Sequence, residues 1–243
     1  MNTKIFAYLI EKIQNSFNLP KYQGILPPLQ ADTQYNAFPW TPAKREKFEK
    51  EVSTNFQLNI DFAGTIGDIV KQIDTKYLRR FFGEMWRPRT ETMSYTGWQL
   101  VEEILKHNPA AVLDVGCGYN QFKERIANLT GIDPFNDNAD YMVDILDFVS
   151  SKKYDAIMCL GSINFNSYDE VDARIAKVVG FLNDGGRIYF RANPGISHEK
   201  GPWIEIFPWN FEWAQHFADR YNLKLETFKQ DNNNRLYFVY HKQ

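Results

Sequence analysis

Asp114, Gly116, Gly118 and Asp133 are the residues whose types and spacing point most directly to chemistry. The apolar run Ala111–Val115 leads into Asp114-Val115-Gly116-Cys117-Gly118. A second apolar run, Leu129–Ile132, ends in Asp133, nineteen residues after Asp114. Two glycines let a backbone approach a ligand closely, and an acid at the tip of the second strand accepts ribose hydroxyls. The glycines alone would serve any tight turn. It is their coincidence with Asp114 and Asp133 that selects a ligand site.

The charges narrow the ligand. A dinucleotide fingerprint needs a third glycine at position 121, which is Gln121. Asp114 beside the turn would repel a pyrophosphate, which seeks the positive end of a helix. It would attract a ligand carrying an ammonium and a sulfonium. The pattern favours S-adenosylmethionine over NAD or FAD and disfavours a nicotinamide oxidoreductase.

The elements that must hold these residues read as alternating helices and strands. Trp98, Val101, Ile104 and Leu105 mark a lead-in helix, and Ala111–Val115 a buried strand. A glycine turn and a short helix to Ala127 follow, then the strand Leu129–Ile132. A weak strand is expected near Tyr141–Val143 and a stronger one over Tyr154–Leu160. Ser167 to Glu170 is a capping box opening a helix, which Asn183-Asp184-Gly185-Gly186 turns into a strand over Arg187–Arg191. A helix around Phe211–Tyr221 precedes strands Lys224–Phe228 and Leu236–Tyr240. This order predicts an α/β Rossmann-like sandwich, its sheet mainly parallel, seven-stranded, with one antiparallel strand.

Residues 1–90 read as a mostly helical extension or lid before a catalytic domain over 91–243. Helical spacing marks residues 3–17, and Thr41-Pro42 starts a second helix. Ile66, Ile69, Val70, Ile73 and Tyr77 mark a third, while Leu19–Trp40 is proline- and aromatic-containing without a period.

The 243 residues are 44% hydrophobic and 24% charged, with a net charge of −2, which argues against general nucleic-acid binding. Two cysteines exclude a disulfide scaffold, and the four histidines lack metal-ligand spacing. The apolar stretch Ile5–Ile10 is too short to span a membrane. A soluble, cytoplasmic protein with a small-molecule substrate is expected, with no metal and no membrane association.

Val112-Leu-Asp-Val-Gly-Cys-Gly118 resembles the first motif of class I S-adenosylmethionine-dependent methyltransferases, and Gly131-Ile-Asp133 their ribose motif. Asp144-Ile145 resembles the pair that holds the adenine amino group, with Asp147 competing. Tyr154–Leu160 and Leu182–Ile188 resemble the family's next two strands, so the likeness runs in order over residues 91–243. The family's third motif glycine falls at Asn120. The resemblance implies methyl transfer by in-line displacement, with Asp114, Gly116, Cys117, Gly118, Asp133, Pro134, Asp144, Ile145 and Leu160 holding S-adenosylmethionine. The alternative is a catalytically silent methyltransferase-like domain serving as a binding subunit.

Because the sulfonium leaving group is already activated, alignment of the acceptor matters most, and no catalytic triad is required. The segment Gly161–Phe165 lacks the Asn/Asp-Pro-Pro-aromatic sequence of exocyclic-amine methylases, and Cys117 and Cys159 read as small core residues. The acceptor face is expected from Ser162, Asn164 and Phe165, from the loop Arg191–Glu205, and from Trp86–Tyr95. Tyr95, Asn164, Arg191 and Trp203 are the candidate substrate contacts. His198 is the candidate general base or an exposed loop histidine. Arg87 and Arg89 hold a carboxylate or form surface ion pairs. Trp203, Phe207 and Trp209 close an aromatic pocket or pack the loop down.

Overall fold

The structure is a computed structural model that describes residues 1–18, 30–85, 98–230 and 234–243, the side chain of Gln99 excepted. The chain packs into two units: Met1–Trp86 with Ser197–Glu205, and Arg87–Ile196 with Ile206–Gln243.

The second unit is built on a six-stranded sheet among the described residues. Its strands are β1 (Val112–Val115), β2 (Leu129–Ile132), β3 (Tyr154–Leu160), β4 (Leu182–Ala192), β5 (Leu223–Gln230) and β6 (Leu236–Lys242). They lie in the order β2-β1-β3-β4-β6-β5. The first four are parallel, and β6 runs antiparallel to both β4 and β5. All four residues of β1 are buried, as a central parallel strand requires.

Side-chain alternation divides the apolar residues between the two faces. Val112, Ala156, Met158, Tyr189 and Val239 pack with Leu100, Val101 and Ile104 of α4 (Trp98–Leu105). Leu113, Ile157, Cys159, Phe190 and Phe238 pack on the other side with α5 (Tyr168–Phe181) and α6 (Phe211–Arg220). The result is a helix–sheet–helix sandwich whose chain reverses direction beside β1. That switch point is where such sheets bind ligands.

Three local expectations are corrected. Tyr141–Val143 forms no strand: it makes a single parallel bridge, Ile132 to Tyr141. The carboxylate of Asp144 accepts the Leu146 N–H at 2.9 Å, which turns the chain away before pairing extends. The helix expected up to Ala127 is one 3₁₀ turn, Gln121–Glu124. β4 begins at Leu182, earlier than expected, with an irregularity in its pairing to β3 between Tyr154 and Ala156.

The first unit contains three helices among the described residues, α1 (Thr3–Ser16), α2 (Pro42–Phe56) and α3 (Ile66–Arg80). Each has an N-cap suited to its type. Asn2 accepts from Ile5 N–H, Thr41 accepts from Lys44 N–H with Pro42 following it, and Thr65 with Asp68 forms a capping box. Ile5, Leu9 and Ile13 are buried on α1, Phe48, Val52 and Phe56 on α2, and Ile69, Ile73 and Tyr77 on α3. The segment Ser197–Glu205, cut from the loop after β4, folds as part of this unit. Of the irregular stretch from Leu19 to Trp40, residues 19–29 lie outside the described residues. Beyond them Tyr35–Ala37 forms a 3₁₀ turn, with Tyr35 fully buried.

Candidate functional site

The site starts where β1 ends. Gly116 has φ +71° and Gly118 φ +54°, conformations that favour glycine. A Cβ on Gly116 would lie 2.4 Å from the Ser162 Cβ, so that turn is pressed against the segment following β3. At Gly118 a Cβ would meet nothing within 4 Å, so the turn opens there. The Gly116 and Cys117 N–H groups donate to the Ile132 carbonyl at 2.8 and 3.1 Å, tying the turn to the end of β2. Asp133 completes the tie: Oδ2 accepts the Gly118 N–H at 3.0 Å and Oδ1 the Phe135 N–H at 2.8 Å.

Asp114 is the electrostatic anomaly. It is 1% exposed, and its Oδ2 has no hydrogen-bond partner among the described residues. Burial, reinforced by the negative charge of Asp133, pushes its carboxyl up to about 7. Burial also raises Asp133, opposed by N–H bonds from Phe135, Gly118 and Asn136, while Asp144 adds a further raising charge. A buried, unpartnered carboxylate is costly unless something cationic joins it. Asp114 and Asp133 thus put two acids at one turn, and Asp114 is the one without a counter-charge.

The surroundings of that turn explain the departure at position 120. Asn120 adopts φ +57°, a conformation that asparagine tolerates better than other side chains, so the glycine expected there is dispensable. Its Nδ2 donates to the Asn138 carbonyl at 3.2 Å. A Cβ on Gly131 would lie 2.4 Å from Asn120 Oδ1 and 2.9 Å from Cys117 Sγ, so Gly131 must be small. Asp140, which no motif in the sequence marks, accepts the Gly131 N–H at 2.8 Å and pairs with Lys123. Burial opposes ionisation there, but Gly131 and Lys123 hold Asp140 below the usual carboxylate range. Its signal in the sequence is weak, one acid closing the Asn- and Asp-rich run 136–140.

The remaining cofactor candidates fall into two groups. Asp144 sits near enough to Asp133 to act on its charge, but it is also 3.5 Å from Arg174. Asp147, its competitor, is exposed. Pro134 follows Asp133 and is half-buried, as is Leu160 at the end of β3. Ile145 is buried in the core with Phe148, and Cys117 is buried at the turn. Burial and the neighbouring Asp114 raise both thiols, Cys117 and Cys159, which keeps them protonated and unreactive.

The expected acceptor residues scatter. Asn164 is buried, its Oδ1 accepting the Asn193 N–H at 3.0 Å and its carbonyl the Phe207 N–H at 2.8 Å. Arg191, on β4, lies over the Tyr237 ring at 5.8 Å. Trp209 is buried and donates its indole N–H to the Ile163 carbonyl at 2.8 Å, and Phe207 stacks edge-on against it, so both pack the loop down. His198 and Trp203 belong to the first unit. The His198 ring meets Phe81 edge-on at 5.0 Å, and Trp203 lies 5.1 Å from Tyr8 and 4.9 Å from Phe56. Tyr95, Arg87 and Arg89 lie outside the described residues.

No known family signature matches the chain, and no curated protein matches it. Solved structures do. The N-methyltransferase NodS from Bradyrhizobium japonicum, in complex with S-adenosylhomocysteine, aligns with a TM-score of 0.53 at 15% identity, over 70% of this chain and 98% of its own. The fold is that of the class I methyltransferases. A second such structure is 1,6-didemethyltoxoflavin-N1-methyltransferase from Burkholderia thailandensis, with its substrate and S-adenosylhomocysteine bound. It aligns at 0.56 and 11% identity, over 72% of this chain and 89% of its own. Magnesium protoporphyrin IX methyltransferase from Synechocystis, with S-adenosylmethionine bound, aligns at 0.52 and 11% identity, over 70% and 97%. Among the described residues no helix is long and apolar enough to cross a membrane, and no group of three metal-ligating side chains forms.

Proposed function

We propose that the chain is an S-adenosylmethionine-dependent methyltransferase acting on a small-molecule or polar acceptor. The observation that carries this reading is Asp114: a fully buried carboxylate with an unpartnered oxygen, beside an open glycine turn and within electrostatic reach of Asp133. A cationic amino-acid ligand satisfies that carboxylate, whereas an anionic pyrophosphate worsens it. The fold shared with methyltransferases of small molecules supports the same reading.

In this proposal Asp114, Gly116, Cys117 and Gly118 hold the amino-acid end of the cofactor, and Asp133 and Pro134 the ribose. Asp144, Ile145 and Leu160 line the adenine. When bound, the cofactor supplies an electrophilic methyl on a sulfonium. The chain's own work is to orient the acceptor for in-line attack and to exclude water.

The test is thermal unfolding with and without S-adenosylhomocysteine. The reading predicts a rise in melting temperature, about 2.7 kcal/mol of stabilisation at a hundredfold excess over Kd. Asp133→Ala should abolish it. A wild-type protein whose melting is unmoved by either S-adenosylmethionine or S-adenosylhomocysteine would overturn the reading.

A further inference from the structure

The segment after β3 spends its polar groups unevenly. Asn164 is 6% exposed, and Oδ1 is committed to the Asn193 N–H at 3.0 Å. That bond fixes which way the amide faces. Its other end, Nδ2, lies beside Gly161, 3.8 Å from where a Cβ would stand, and makes no hydrogen bond among the described residues. The backbone is equally held. The Phe207 N–H donates to the Asn164 carbonyl at 2.8 Å, and Trp209 N–H donates to the Asn193 carbonyl at 3.2 Å. Asn164 is therefore clamped by both the departing and the returning end of the loop after β4, with a rigid donor left over.

Two further groups on the same segment are unspent. Ser162 Oγ, next to Gly116, and Asn166 Oδ1 are buried without partners among the described residues, and Asn166 is 7% exposed. The segment Gly161–Ser167 contains no Lys, Arg or His. The inventory is one fixed N–H donor at Asn164, one unanchored amide at Asn166 that can present its carbonyl, and one hydroxyl that serves as either. Buried polar groups of this kind require partners, and the pattern specifies which.

We propose that Ser162, Asn164 and Asn166 are specificity-determining residues that recognise a neutral donor–acceptor edge on the methyl acceptor, such as an amide or a ring N–H beside a carbonyl. The proposal rests on the methyltransferase reading of the neighbouring turn. A carboxylate offers only acceptors, which leaves no group to pair with an amide carbonyl turned toward it, and the segment itself supplies no cation to balance its charge.

Benzamide and benzoate, equal in shape and different in this edge, are suitable probes. The protein saturated with S-adenosylhomocysteine is titrated with each, following the side-chain amide signals of Asn164 and Asn166 by ¹⁵N NMR. Benzamide should shift both signals and bind at least tenfold more tightly than benzoate. Asn164→Asp keeps the oxygen that accepts from Asn193 but replaces the donor, and it should remove the preference. Asn166→Gly suits the φ of +75° at that position and should weaken benzamide binding while preserving the backbone. Both variants should retain the melting shift with S-adenosylhomocysteine, which separates lost recognition from lost folding. Equal binding of benzoate, unmoved amide signals, or wild-type benzamide binding by Asn164→Asp would overturn the proposal. Repeating the titration without S-adenosylhomocysteine measures this preference even where the cofactor reading fails.

Discussion

Asn2 and Asp114 are each 1% exposed, yet their surroundings treat them in opposite ways. Asn2, in the first unit, is fully employed. Its Oδ1 accepts the Ile5 N–H at 3.1 Å, and Nδ2 donates at 2.8 Å to both Asp74 and the Trp203 carbonyl. One buried amide thereby joins α1, α3 and the segment Ser197–Glu205. Asp114, in the second unit, keeps an oxygen with no partner and a charge with no counter-charge. The first residue is placed for stability. The second costs stability, and a fold retains such a group where a ligand completes it.

The largest expected effect tests that contrast by sign. Asp114→Asn should stabilise the ligand-free protein at pH 8, by roughly 1–4 kcal/mol, since each pH unit of elevation is worth about 1.4 kcal/mol. Asn2→Ala should do the reverse, destabilising the first unit by roughly 2–3 kcal/mol through the lost cap and the two lost side-chain hydrogen bonds. Chemical denaturation of both variants measures the pair. If both destabilise equally, Asp114 has a partner in solution and the contrast is broken.

The pH dependence sharpens the same point. The Asp114 carboxyl is pushed up to about 7 in the folded chain, above its ordinary unfolded value near 4. The native state then binds more protons than the unfolded state between those values. Its stability contribution is present at low pH and is lost as pH rises from about 4 to 7. A melting series across that range should show a fall that flattens in Asp114→Asn.

A smaller effect concerns the packing of the turn. Gly131→Ala places a Cβ 2.4 Å from Asn120 Oδ1 and 2.9 Å from Cys117 Sγ. The strain should cost about 1–3 kcal/mol and weaken S-adenosylhomocysteine binding by displacing the turn. In the first unit, Thr65→Ala removes a capping box at the start of α3 and should cost about 1 kcal/mol with ligand binding unchanged. Melting and calorimetric titration of the two variants distinguish a turn that serves a ligand from a cap that serves a helix.

What was legible in the sequence is what local pattern encodes. The runs around β1 and β2, the cap at Thr41, the pairing of Ser167 with Glu170 and the spacing of Asp114 from Asp133 are carried by short stretches of chain. The charge argument at Asp114 also follows from residue types, and the structure adds the burial that gives it force. Other features were hidden because their causes are non-local. Nothing within Ser197–Glu205 announces that Trp203 will pack on Tyr8 and Phe56, or that Lys4 will donate to the Ile204 carbonyl. Asn164 reads as a candidate substrate contact, and nothing local shows that half of its amide is consumed by Asn193, 29 residues away. At Tyr141 an apolar triplet predicts a strand but forms a single bridge, because the pattern does not reveal the Asx turn that follows it.

The most direct test of the central claim is calorimetric titration of S-adenosylhomocysteine into the wild type and Asp114→Asn at pH 6 and pH 8. If the buried carboxylate is reserved for the ammonium at the ligand's amino-acid end, wild-type affinity rises from pH 6 to pH 8 as Asp114 ionises. Asp114→Asn then binds at least tenfold more weakly at pH 8 and loses that rise. Equal affinity in the two proteins at both pH values would contradict the account.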